Sequence, residues 1–414
     1  MKHIYTSLDI GTDTIKIVVC ELYQNKLNLL AANNYKAEGI KKGLITNPEL
    51  ATKSIKAAFN EIEEMLGIRI KKVITTIPSF NAEYNIIKGS IKIQNEDNVV
   101  TTDDIIKSLE VAVKSNPYTS REVITVLPID YSVDEKTFIK DPKGMAGKVL
   151  GCRAVLVTTP KKNVYSVITL LENIGIDVVD ISLNNIGDLY AFNNSYFGDK
   201  VGAIINIGHE ITTVSLYNKS ILVKSSIINQ AGKNIDNDIT YMYKVDSDTA
   251  RKIKTKFAMA HKRNANVNDI MEVTNKLGER IKINQFEASE IVSSRLEDIL
   301  NEAKKEINLL TSRKIDYIII TGGTSNILEF EYIVRDIFGD NANIGNIKLL
   351  GIRDNIYSSA IGNIVYFISK LKLKEMDYSM ITDNDMYQIT SVNSKKLSTS
   401  DSMLGKIFGF FFSE

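Results

Sequence analysis

Apolar and polar residues alternate over residues 3–35 in three runs, broken at 11–14 and again at 24–26. Period-two alternation in consecutive short runs predicts a three-stranded antiparallel meander. The same layout returns over 201–227, "VGAIINIGHEITTVSLYNKSILVKSSI", with breaks at 208–211 and 218–219. A strand, glycine turn, strand, short turn, strand unit is therefore present twice. Helical spacing follows in each half. Asn47 and Pro48 are good starters for a helix that carries Ile55, Phe59, Ile62 and Leu66 on one face and stops at Gly67. Residues 163–174 and 284–311 show similar spacing. A third glycine turn, "TGGTSN" at 321–326, follows the apolar strand "IDYIII" and precedes a helix expected to begin near Leu328. Between elements of the first half, about 84–162, lies an insert with strands of its own ("IIKGSIKI", "EVITVLPIDYSV", "CRAVLVTT") and a helix near 103–115 entered by Thr102. Glycine turns at strand ends in duplicated halves imply an α/β fold of two similar lobes facing one another across a cleft, the expected ligand site, with a small α+β domain inserted.

The length of 414 residues requires at least two cores, and 44% apolar with 24% charged residues is ordinary for a globular chain. A net charge of +1 gives no reason to expect nucleic acid as a partner. Cys20 and Cys152 cannot form a disulfide framework, three histidines give no metal-ligand cluster, and the start "MKHIYTSLDIG" lacks the apolar run of a signal peptide. The cytosol is therefore the expected compartment. No stretch approaches the roughly 18 apolar residues of a membrane span, so a bilayer would be met only at its surface.

A glycine turn between strands lets backbone amides approach phosphate oxygens where a side chain would block them. In "DIGTDTIK", Gly11 supplies that approach, Thr12, Asp13 and Thr14 line the turn with hydroxyl and backbone groups, and Lys16 offers positive charge. Asp9 suits Mg²⁺ held through water, since magnesium prefers carboxylate oxygens and keeps several waters. The second turn contributes Gly208, His209 and Glu210, and the third Gly322, Gly323 and Thr324, placed for a nucleoside.

These residues resemble the actin-like ATPase superfamily, and within it the family of the bacterial cell-division protein FtsA over essentially the whole chain. "LDIGTDTIKIVV" is similar to the family's first phosphate loop, "INIGHEITTVSL" to its second, "IITGGTSNILEF" to its adenosine loop and "IRDNIYSSAIGNIVYF" to its second connecting helix, where Ser359, Ala360 and Gly362 would permit close packing. The insert's "VITVLPIDYSVDEKTFIKDPKGMAGKVL" resembles the domain peculiar to FtsA. The resemblance implies an actin-like two-lobe fold of duplicated ribonuclease-H-like domains, with ATP and Mg²⁺ as cofactors and with Gly232 and Lys254 added to the nucleotide site. It divides the chain into a first lobe (1–83, 163–193, 362–374), the insert (84–162), a second lobe (194–228, 303–361), its subdomain (229–302), a flexible linker (375–401) and a C-terminal amphipathic helix (402–414).

Two positions depart from the family's pattern. Asn206 stands where the second loop usually carries aspartate, and Asn184 where the first connecting helix often carries Gln or Glu to orient the attacking water. A carboxamide is neither a base nor a carboxylate ligand for magnesium. Nucleotide retained with hydrolysis slow or absent is the expectation, Glu210 being the one acid placed to compensate. The remaining catalytic candidates are thus Asn184, Asn206 and Glu210.

On a helix, Met403, Leu404, Ile407, Phe408, Phe410, Phe411 and Phe412 cover one broad arc, opposed by Ser402, Gly405, Lys406, Gly409 and Ser413. Such a surface suits the headgroup boundary, and the family ends in a membrane-targeting helix of this kind. A terminal segment docked on its own domain is the alternative. By resemblance the chain would be a peripheral protein of the membrane's cytoplasmic face at the division septum. It would polymerise with itself, bind the C-terminal tail of FtsZ through 229–302, and recruit later division proteins through the insert. A pilus-assembly protein with the same insert, a small-molecule kinase of the superfamily and a chaperone ATPase are the other readings. Asn184 and Asn206 count against the kinase, and no room remains for a chaperone's peptide-binding domain.

Overall fold

A computed structural model describes residues 2–116, 120–192 and 197–381. The expected membrane residues Met403, Leu404, Ile407, Phe408, Phe411 and Phe412 lie outside the described residues, as does most of the expected linker.

The chain divides into two compact units. The first comprises Met1–Tyr190, Ile221–Val223 and the chain from Ser359. It opens with β1 (His3–Ile10), β2 (Thr14–Tyr23) and β3 (Lys26–Lys36), the expected meander, then a small hairpin of β4 (Ile40–Lys41) and β5 (Leu44–Ile45). Helix α1 (Pro48–Leu66) begins where the Asn47 side chain accepts the Leu50 amide and ends at Gly67, whose φ of 67° is left-handed, a conformation that favours glycine. Its Ile55, Phe59 and Ile62 are buried. Strand β6 (Lys72–Ile77) returns parallel to β1.

The insert follows: β7 (Glu83–Lys92), α2 (Thr102–Lys114), β8 (Arg121–Val133), β9 (Lys136–Ile139) and β10 (Val149–Pro160). They form a sheet of order β7-β10-β8-β9. Helix α2 is capped one residue earlier than the sequence suggested, because Thr101 and Asp104 bond each other's backbone amides as a capping box. The short β9 was not anticipated; its four residues are too few to show a period. Helix α2 covers one face of this sheet, its Ile105 and Leu109 packing over Ile87, Leu150, Cys152 and Leu156. Back in the main unit, α3 (Lys161–Asn173), β11 (Asp177–Leu183) and α4 (Asn184–Phe192) complete the sheet order β11-β6-β1-β2-β3.

The second unit spans Ala191–Ser220 and Lys224–Ser358. Strands β12 (Val201–Ile207), β13 (Thr212–Asn218) and β14 (Ile221–Ile228) repeat the meander. Helices α5 (Gly232–Tyr243) and α6 (Ser247–Lys256), a hairpin of β15 (Ile270–Thr274) and β16 (Arg280–Asn284), and α7 (Gln285–Leu310) come next. Strand β17 (Tyr317–Thr321), α8 (Phe330–Phe338) and β18 (Ala342–Ile344) close the unit. The sheet order is β14-β13-β12-β17-β18, with β17 parallel to β12 as β6 is to β1. Its core packs Val292, Leu296, Ile299 and Ala303 of α7 with Ala203 and Ile205 of β12 and Val214 of β13. After β17 the chain makes a short 3-10 turn at Gly323–Asn326, so α8 starts at Phe330 rather than near Leu328.

The last helix, α9 (Ser358–Leu373), packs closely on α4: a Cβ on Gly187 would stand 2.3 Å from the Ser359 carbonyl oxygen, while the Ser359 hydroxyl donates to Asp188 at 2.8 Å. The small residue at 359 thus serves as the sequence suggested, with Gly187 as its partner. Beyond α9, where linker was expected from 375, the chain is held. The Met380 amide donates to the Ile4 carbonyl at 2.9 Å, the Ile4 amide to the Ser379 hydroxyl at 2.9 Å, and Met380 and Ile381 are buried. Strand β6 pairs β1 only over Ser7–Asp9, leaving backbone groups near Ile4 for this segment to satisfy.

Candidate functional site

In the first unit, the register of β1 sets Asp9 opposite Lys16 on β2 and Thr76 on β6. The Lys16 ammonium donates to Asp9 Oδ2 at 2.8 Å and the Thr76 hydroxyl to Asp9 Oδ1 at 2.9 Å. The turn beyond is closed by the Gly11 amide on the Thr14 carbonyl at 3.1 Å. A Cβ on Gly11 would meet Lys16 Nζ at 2.7 Å and Thr14 O at 2.8 Å, which accounts for the glycine. The Thr12 hydroxyl accepts the Gly43 amide at 2.8 Å and the Asp13 carbonyl the Ala37 amide at 2.8 Å, so both brace the turn. Asn184 opens α4 directly after β11, and its Oδ1 is buried with no hydrogen-bond partner among the described residues. Asp9, Thr76 and Asn184 therefore stand at the carboxyl ends of three neighbouring parallel strands, the edge at which open α/β sheets take ligands.

The second unit repeats this edge with different chemistry. Asn206 lies opposite Thr213 on β13 and Thr321 on β17, the positions equivalent to Lys16 and Thr76. Its turn is closed by the same bond, the Gly208 amide on the Ile211 carbonyl at 3.0 Å. Where the first unit holds a carboxylate and an ammonium, the second holds an amide and a hydroxyl. Gly322 has φ +89°, and a Cβ there would stand 2.4 Å from Asn206 Oδ1 and 2.5 Å from Ile207 O. The Thr324 hydroxyl donates to the Gly208 carbonyl at 2.9 Å, and Gly232 also donates its amide to that carbonyl at 3.1 Å. Gly208, Gly232, Gly322 and Thr324 are thus gathered at one place. Gly323 sits beside them in the 3-10 turn. Lys254 is buried there too, donating to Gly232 O at 3.0 Å and paired with Asp236 at 2.7 Å.

Glu210 is bound to Lys233 at 2.6 Å, which uses the carboxylate that was to compensate for Asn206 in an ion pair. The His209 carbonyl accepts the Lys233 amide at 2.6 Å, and its Nδ1 is 3.3 Å from Arg251 Nη2 and 3.9 Å from Asp236. Sequence reading missed Lys233, Asp236 and Arg251. The available signal was Asp236 itself, an acid four residues after Gly232 on the inward stripe of a helix with Ile235 and Ile239. Among the described residues no three His, Cys, Asp or Glu side chains gather as a metal cage. Magnesium needs no such cage, since it binds through few carboxylates and retained water.

The family model described as cell division protein FtsA matches residues 203–362, and that of the SHS2 domain inserted in FtsA matches 82–158. The cell division protein FtsA of Staphylococcus epidermidis is 28% identical over 408 residues, covering 97% of this chain and 87% of that relative. Among solved structures, the PilM–PilN type IV pilus biogenesis complex aligns with TM-score 0.58 at 15% identity, over 87% of this chain and 98% of that one. MreB5 of Spiroplasma citri bound to ADP aligns with TM-score 0.57 at 15% identity, over 90% and 98%. The two structures share the fold, actin-like and two-lobed. The insert and the second-unit match together carry the narrower assignment: this chain belongs to the family of the cell division protein FtsA.

Proposed function

We propose that this cell-division protein binds ATP at its glycine turns and hydrolyses it slowly or not at all. The observation that carries the reading is the inequality of the two turns: Asp9 and Lys16 in one, Asn206 and Thr213 at the equivalent positions of the other. Asp9 would hold Mg²⁺ through water, and the metal would neutralise phosphate charge. Lys16 sits close enough to Gly11 to shift from Asp9 to a phosphate, and Lys254, Gly232, Gly322 and Thr324 form the nucleoside end. Asn184 keeps a free acceptor but cannot take a proton from water, and Glu210 is neutralised by Lys233. Phosphoryl transfer depends on positioning and charge, so missing an acid costs orders of magnitude in rate. The related fold of MreB5 was solved with ADP, which agrees with nucleotide binding.

The nucleotide then acts as a conformational wedge favouring head-to-tail association of subunits. The C-terminal arc of Met403, Leu404, Ile407, Phe408, Phe411 and Phe412 attaches the polymer to the membrane's inner face, and many weak anchors in one polymer add avidity. The FtsZ tail docks on the subdomain at 229–302, where a 260 Å³ cavity is lined by exposed Tyr241 and Met242 beside Arg295, which holds Asp238 at 2.6 Å. Later division proteins are recruited through the insert.

Co-sedimentation with liposomes in the presence of ATP, comparing the full chain with one truncated after Ser400 and assaying phosphate in the same tubes, tests this. The full chain should pellet, the truncation should not, and phosphate should stay near background. Lipid-independent sedimentation with brisk phosphate release refutes the reading and returns the chain to the enzymes of its superfamily.

A further inference from the structure

The insert's sheet has a second face. Alternation along β7 sends Ile87 and Ile91 towards α2 and leaves Ile86, Lys88, Ser90 and Lys92 on the other side. On β10 the same rule leaves Val149, Gly151 and Arg153, and on β8 Asp130 and Ser132. The register aligns Ser90, Gly151 and Ser132 in one row across three strands. Three small residues side by side make a floor. Adjacent rows lie two residues away along the strands, roughly 7 Å, and carry larger groups. One wall is Lys88, Arg153 and Asp130; the other begins with Val149 and Lys92. Phe138, on β9, stacks against the Arg153 guanidinium at 5.4 Å from its ring centroid. A cavity of 570 Å³ takes in this floor together with Lys88, Phe138 and Arg153 and reaches round to Val111 and Ser115 at the end of α2. Gly151 is required there, because a Cβ would stand 2.5 Å from the Ser132 hydroxyl.

Phe138 is 73% exposed and Ile86 69%. Lysines on an edge strand such as β7 discourage strand addition, which would explain Lys88 and Lys92 alone. It does not explain Phe138, an aromatic ring left bare directly beside the small-residue floor and the basic groups. Lys88, Lys92 and Arg153 make the rim basic; of the carboxylates near them, Asp130 is engaged by Arg153 through Nε at 2.7 Å and Asp134 accepts the Lys148 and Val149 amides.

We propose that this trough is a docking face for a partner-protein segment that sets a phenylalanine or leucine on the Ser90–Gly151–Ser132 floor and acidic residues against Lys88 and Lys92. The inference names the chemistry of a partner for the insert, and it rests on the reading of the insert as a recruiting module only for that partner's place in division.

The probe is a fluorescein-labelled peptide, EDFLEDFLE, titrated by anisotropy against the full chain at low salt, with KRFLKRFLK and EDSSEDSSE as controls. The acidic apolar peptide should bind at least about tenfold more tightly than either control, as a site needing both an anchor and complementary charge requires. The K88E/K92E variant should lose about tenfold for EDFLEDFLE and F138A a similar factor, with unchanged thermal melting because these side chains lie outside the cores. Equal binding of the acidic and basic peptides, or undiminished binding by K88E/K92E, overturns the proposal. Loss of phosphatidylglycerol-vesicle binding in K88E/K92E, with no peptide binding by the parent chain, also overturns it and reassigns the face to anionic lipid. Recruitment is read separately, from septal localisation of later division proteins in cells carrying an insert deletion. If the deletion leaves localisation intact while the peptide results hold, the recruiting role fails and the face stands.

Discussion

Asp9 and Lys16 pair as carboxylate and ammonium across β1 and β2, with side chains 12% and 11% exposed and 2.8 Å between charged atoms. Replacing Asp9 by Asn leaves the Lys16 ammonium with a neutral neighbour in a nearly closed setting. Breaking a buried pair by removing one partner costs about 3–5 kcal/mol, and the residual exposure places Asp9→Asn near the low end, about 3 kcal/mol. The second unit supplies the control, since Asn206 and Thr213 occupy the same positions uncharged. The double change D9N/K16M imitates that neutral arrangement, and it should cost less than the two single changes added together, with a coupling energy of about 2 kcal/mol in the double-mutant cycle. Urea denaturation followed by circular dichroism reads these values, since the chain has no tryptophan. Saturating ATP should narrow the gap between D9N and the parent, because a phosphate can take the place of the missing carboxylate beside Lys16. A D9N penalty below about 0.5 kcal/mol, or additivity with K16M, would show that the pair is not a coupled unit and would remove the physical basis for contrasting the two turns.

Gly322→Ala combines a left-handed φ of +89° with a Cβ 2.5 Å from the Ile207 carbonyl oxygen; it should cost about 2–4 kcal/mol and abolish nucleotide binding, measured by calorimetric titration. Burial holds the Glu122 carboxyl above its ordinary value, opposed by the Tyr165 hydrogen bond. The folded state therefore keeps its proton to higher pH than the unfolded chain does, and the ionised form penalises folding at neutral pH. Glu122→Gln should accordingly raise Tm at pH 7, with the gain fading as pH falls towards 4.5, and an unchanged or lower Tm at pH 7 refutes this. Lys370 on α9 is buried against Asp180 on β11, with its own ionisation disfavoured by desolvation. Lys370→Met should destabilise by about 3–5 kcal/mol through the stranded Asp180, and D180N/K370M should restore most of it; equal losses in the single and double variants contradict the pairing.

The sequence by itself determined the elements whose signals are local. Period-two runs at 3–35 and 201–227 became the two meanders, Asn47 and Gly67 bounded α1, and the paired glycine turns at 11 and 208 close with the same backbone bond. These follow from alternation, capping and φ preferences, which operate within a few residues. Tertiary structure alone decided what depends on partners far along the chain. Asn206 could be read as a missing acid, but only the register against Thr213 and Thr321 showed that the lysine of the first turn is missing as well. Glu210 looked like a spare carboxylate until Lys233, twenty-three residues away, was found holding it. Residues 379–381 read as polar linker because their burial comes from β1, some 375 positions earlier. The trough on the insert exists because three strands align Ser90, Gly151 and Ser132, three small residues that are unremarkable in sequence and acquire a shape only through cross-strand register.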